Sequence, residues 1–103
     1  MVGRRVKTVT EVTQPGDYCG PIKGYCADPE LLVCVFLKPN ARDKDAPRRA
    51  RSVQHITFPL HTFRECADGS LEVRNSISDC SVRGSDSDGW HGYLDEGHVW
   101  RKI

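Results

Sequence analysis

Two segments decide the fold: CADGSLEVRNSI (66–77) and, after a polar loop, GWHGYLDEGHVW (89–100). In the first, Asp68-Gly69 is a turn signal, because glycine accepts the positive φ that tight turns require. Leu71 and Val73 then alternate with Glu72 and Arg74, giving one apolar face and one wet face. In the second, Trp90, Gly92 and Leu94 share a face, and His91 and Tyr93 share the other. Asp95-Glu96-Gly97 reads as a three-residue connection with glycine placed for a left-handed or bulge position. The chain returns through His98-Val99-Trp100. This spacing predicts a β-hairpin over 89–101, with His91 and Tyr93 beside the return strand, where cross-strand neighbours on one face touch. Gly92, lacking a side chain, predicts an open spot on the opposite face.

Working outward, LLVCVFL (31–37) is the continuous apolar run, bounded by Pro29 and Pro39. Its length and β-branching predict a central strand buried on both faces, with Cys34 a packed thiol. Residues 4–13 are rich in Val and Thr and predict a strand, although Val6, Val9 and Val12 are spaced by three. Residues 14–30 hold three prolines and three glycines and read as loop. Residues 38–51 form a basic loop, carrying Arg42, Lys44, Arg48, Arg49 and Arg51 against Asp43 and Asp45. Residues 52–58 alternate, with Gln54, Ile56 and Phe58 on one face and Val53, His55 and Thr57 on the other. Leu60 to Glu65 fits either a short strand or an irregular crossing. No segment sustains a helical period. The expected architecture is a single domain spanning 1–103, mostly β, an antiparallel sandwich or barrel-like fold of about five to seven strands with long loops.

The 103 residues suffice for one small domain, and 38% apolar against 28% charged residues allows a modest core. A net charge of +1 provides no global field for nucleic acid or membrane. No stretch approaches the roughly 20 apolar residues of a membrane helix, and the polar start Met1-Val-Gly-Arg-Arg is unlike a signal peptide. A soluble, cytoplasmic protein is expected. The five cysteines, Cys19, Cys26, Cys34, Cys66 and Cys80, include no C-x-x-C pair. Their odd number favours free thiols over a disulfide framework, with zinc ligation by a subset the main alternative.

Several constellations could carry chemistry. Thiolates and imidazoles together suit zinc, which takes four ligands in a structural site. His55, His61, Cys66, Cys80, His91 and His98 crowd the second half of the chain. Cys66 or Cys80 with His91 would be the minimum for thiol catalysis. Gly84-x-Asp86-x-Asp88-Gly89 with Asp95 resembles half of a calcium loop but lacks flanking helices, and a polar loop fits better. The basic loop 42–51 could meet phosphates, yet no aromatic is interleaved for base stacking. His91 and Tyr93 project together beside the return strand, where a histidine can contact a partner, ligate a metal or move a proton.

The residues Ser76, Ile77, His91, Gly92, Tyr93, Leu94 and Gly97 also carry a resemblance. The C-terminal third resembles a family of small uncharacterised phage, prophage and bacterial proteins, with Ser-Ile after a short strand, a variable loop, then His-(Gly/Phe)-aromatic-Leu and a turn glycine. Many relatives carry an upstream cysteine cluster before a histidine, implying zinc; here Cys34 and His55 are the nearest remnants. The resemblance implies a phage or prophage accessory protein. Taken together, the reading expects a non-enzymatic protein that binds a host macromolecule, most simply a host protein. Trp90, His91, Tyr93, Arg48 and Arg49 are the candidate binding residues. Cys34, His55, Cys66 and His91 are the candidate zinc ligands. A small zinc- or thiol-dependent enzyme and a nucleic-acid-binding module using residues 42–51 are the alternatives.

Overall fold

The computed structural model describes residues 1–41, 51–57, 61–79 and 89–103. The elements run β1 (Arg4–Arg5), a 3-10 turn (Val9–Glu11), β2 (Asp17–Lys23), β3 (Leu32–Phe36), β4 (Ser52–His55), β5 (Thr62–Glu65), β6 (Leu71–Asp79), β7 (Trp90–Asp95) and β8 (Val99–Lys102). They form two four-stranded sheets, ordered β1-β2-β3-β4 and β5-β6-β7-β8. Every neighbouring pair is antiparallel except β1 with β2. The expected β-sandwich is what the chain forms.

The hairpin over 89–101 forms as its spacing predicts. Gly92 pairs with Lys102, Tyr93 with Arg101 and Leu94 with Trp100. Gly97, at φ 84°, supplies the left-handed residue of the turn, and Gly69, at φ 87°, does the same between β5 and β6. β3 is the buried interior strand: Val33, Cys34, Val35 and Phe36 are all fully buried. Cys34 and Phe36, with Tyr18 and Ile56 from their own side, face the second sheet and pack with its Leu71, Val73, Ile77, Trp90, Leu94 and Trp100. Val35 lies opposite Cys19 on the reverse face, beside a smaller cluster of Val6, Val12, Cys19 and Leu37. Two apolar faces on one strand explain why 31–37 reads as an unbroken run instead of an alternation.

Trp100 is the hub of the interior. Its ring stands edge-on to Trp90 at 5.4 Å and to Tyr18 at 6.0 Å, and lies 5.2 Å from Phe36. Its Nε1–H donates to the carbonyl of Gly16 at 2.8 Å, so the buried indole keeps its hydrogen bond. Residues 1–5 join the two sheets along one side. Val2 bridges to Val99, and the amides of Gly3 and Trp100 donate to the carbonyls of His98 and Met1. Two residues later, Arg4 and Arg5 pair in parallel with β2.

Two expectations are corrected. Residues 4–13 are not one strand: only Arg4–Arg5 pair, and Val9–Glu11 turn as a 3-10 helix. The spacing of three among the valines belongs to that turn, which drops Val6 and Val12 onto the outer cluster. Residues 14–30 are not all loop, because β2 occupies Asp17–Lys23. The strand accommodates Pro21 at a bulge, where the register shifts between Cys19 and Ile22 and a ladder N–H is not needed. At the end of the basic loop, the Arg51 guanidinium donates to the carbonyls of Val12 at 3.0 Å and Thr10 at 3.4 Å. Residues 42–50 of the basic loop, including Arg48 and Arg49, lie outside the described residues, as do Phe58, Cys80 and the calcium-like loop through Asp88.

Candidate functional site

The register places Arg64, Glu72, Arg74, Ser78, His91, Tyr93, Asp95 and Arg101 on the outer face of the second sheet. At its centre, the Arg101 guanidinium sits over the Tyr93 ring, 4.3 Å from the centroid. Asp95 accepts from Arg101 Nε at 2.8 Å and fixes that cation in place. Arg64 is shared between Glu72 and Glu96, and these carboxylates hold its guanidinium protonated well above the ordinary value. His91 is exposed opposite Ser78. Beside it, Gly89, Trp90, His91, Lys102 and Ile103 line a mostly apolar depression of about 400 Å³.

His91 and Tyr93 therefore project together, as the alternation expects. Trp90 faces the other way. It is 5% exposed and packs in the core, although it also lines the depression. The spot above Gly92 is not open. A methyl there would lie 2.3 Å from the carbonyl of Arg101 and 2.5 Å from the Trp90 ring. The glycine makes room for this chain's own tryptophan.

A second constellation sits at the seam of the two sheets and draws on residues far apart in sequence. Tyr18 is fully buried, and its hydroxyl lies 2.6 Å from His98 Nδ1 and accepts the Leu71 N–H at 3.2 Å. Burial pushes the Tyr18 phenol up to about 12. The guanidinium of Arg5 is clamped by both oxygens of Glu65, at 2.6 and 2.8 Å, and also donates to the carbonyls of Gly20 and Gly69. That hydrogen-bonded clamp holds Glu65 below the usual carboxylate range. Around these groups lies a cavity of about 460 Å³ lined by Arg5, Val6, Lys7, Cys19, Gly20, Pro21, Ile22, Gly69 and His98. Sequence reasoning placed Arg5, Tyr18 and His98 in three unrelated segments. The one available signal was a histidine directly after the turn glycine.

Burial disfavours the thiolate at Cys34 and Cys19. Cys34 is fully buried, and desolvation raises it to about 12; burial likewise raises Cys19. The candidate zinc ligands Cys34, His55, Cys66 and His91 do not converge. Among the described residues, the group of three or more donor atoms within 4.8 Å of one another is Cys66, Asp68 and Glu96. Asp68 is already bonded to the amide and hydroxyl of Ser70, and Glu96 to Arg64. His55 instead meets Cys26, with Sγ 3.8 Å from Nε2. No described helix is long and apolar enough to cross a membrane.

No family model, curated protein or solved structure matches the chain.

Proposed function

We propose that this chain is a non-enzymatic accessory protein, phage- or prophage-encoded and cytoplasmic in the host cell, that acts by binding a host protein through the outer face of β6, β7 and β8. The observation that carries the reading is the Tyr93–Arg101 pair, stacked at 4.3 Å and anchored by Asp95. Tyrosine and arginine concentrate binding energy at protein interfaces, and a pair already immobilised loses less side-chain freedom on binding. The apolar depression beside His91 offers a socket for one side chain of the partner. Charges of both signs, Arg64, Arg74 and Arg101 with Glu72, Asp95 and Glu96, suit a protein better than a polyphosphate. Host-protein capture by the parent, lost on Tyr93→Ala with the melting temperature unchanged, is the expected outcome. Equal capture by parent and variant contradicts it.

One contact favours a second reading, a thiol- or zinc-dependent enzyme. Cys26 Sγ and His55 Nε2 are close enough for an imidazole to take the thiol proton. Metal content of the purified protein, and loss of any activity on Cys26→Ser, test it. Binding of nucleic acid through 42–51 is tested by a salt-dependent mobility shift.

A further inference from the structure

The seam cavity has a floor that is fully accounted for and a wall that is not. Arg5 spends both terminal nitrogens on Glu65, Gly20 and Gly69, so it is a fixed part of the cavity and not a mobile ligand. Lys7 lines the same cavity, is exposed, and makes no ion pair or hydrogen bond among the described residues. His98 lines it too.

The hydrogen bonds around His98 favour one tautomer. One lone pair of the Tyr18 oxygen is taken by the Leu71 N–H. The phenol keeps its proton at neutral pH, since burial raises it to about 12. That proton has His98 Nδ1 as its acceptor at 2.6 Å. With Nδ1 accepting, the neutral ring carries its own proton on Nε2, a donor with no hydrogen-bond partner among the described residues, although the Asp68 carboxylate interacts with the ring electrostatically.

The backbone of His98 is unusual as well. Its φ of 62° is left-handed, a conformation that glycine or asparagine adopts at lower cost. Residues held in such conformations cluster at functional sites, and here the imidazole obtained in exchange lines a cavity.

We infer that the seam cavity is a binding site for a small oxyanion, held by the ammonium of Lys7 and the Nε2–H of His98 over a floor fixed by Arg5. The described lining residues include three basic or imidazole side chains and no carboxylate. The ligand chemistry is that of a phosphate or carboxylate group. Glu65 and Asp68 stand nearby, Glu65 clamped on Arg5 and Asp68 bonded to Ser70 through Oδ1 and interacting electrostatically with His98, and their charge keeps the site a modest one. It is separate from the proposed partner face, so either can fail without the other.

The test is an amide-resolved NMR titration with inorganic phosphate and, separately, acetate, at constant ionic strength held with chloride. Saturable shifts at Lys7, Gly20, Gly69 and His98 are expected with at least one of the two, and the tighter of the two identifies the class of anion. His98→Asn keeps the left-handed backbone accessible and should weaken binding about tenfold, the loss typical of a hydrogen bond to a charged group; it also takes the acceptor from the buried Tyr18 hydroxyl, so its melting temperature should fall, and affinity is compared at a temperature where parent and variant are both folded. Lys7→Ala, at an exposed position, should weaken it about threefold. Absence of saturable shifts with both anions overturns the proposal, as does unchanged affinity in either variant.

Discussion

Gly92 and Trp90 show how one residue's absence of side chain serves another. The Trp90 ring fills the space a Cβ at Gly92 would need, 2.5 Å away, with the Arg101 carbonyl at 2.3 Å on its other side. Neither a strand carbonyl nor a core indole can yield cheaply. Gly92→Ala should therefore cost about 1–3 kcal/mol through overpacking, a fall in melting temperature of about 4 °C or more, read by thermal circular dichroism. An unchanged melting temperature would mean that the hairpin relaxes around the methyl. The alternation of 90–94 predicted the two faces correctly, because a period of two follows from strand geometry alone. It could not predict that the apparent gap is filled from within, because which side chain leans over a glycine depends on rotamer and packing.

Among the elements, β3 carries the most, since both its faces are buried. Val35→Asp would place a charge opposite Cys19 with no partner, a cost of several kcal/mol that so small a domain does not survive. Loss of the β-type far-UV spectrum at 25 °C is expected, and a native spectrum with an unchanged melting temperature would contradict the strand assignment. β3 was legible because a run of seven apolar residues between prolines has few other solutions. β2 was not, because its Pro21 and Gly20 carry the composition of a loop. The bulge that lets a proline sit in a strand is a property of the pairing with β3 and leaves no local trace. The 3-10 turn at Val9–Glu11 misled for a related reason: Val and Thr favour strands, and the tertiary need to cover Cys19 and Leu37 overrides that preference.

At the scale of the molecule, the sandwich is held along one side by the N-terminal segment. The ion pair of Arg4 with Asp17, at 2.8 Å, sits where that segment meets β2. Burial raises the Asp17 carboxyl, but the Arg4 hydrogen bond and the amides of Gln14 and Thr13 outweigh it, and the group ends below its ordinary value of 3.8. A carboxyl depressed in the folded state stabilises fully above its unfolded pKa, and that share is lost as pH falls through the folded one. Stability measured by urea denaturation should therefore decline on acidification below about pH 4, and Asp17→Asn should flatten that decline while lowering stability at pH 7. An equally steep acid decline in the variant would assign the acid sensitivity elsewhere. The seam itself was invisible in sequence, since Arg5, Tyr18, Glu65 and His98 meet only when the two sheets close. The outer face of the hairpin was visible, and it carries the account's central claim. The most direct measurement is affinity capture from a bacterial host lysate with the parent and a Tyr93→Ala, Arg101→Ala double variant, the two first matched by melting temperature. The account predicts a discrete host protein retained by the parent and lost from the double variant; no retained protein, or one retained equally by both, would contradict it.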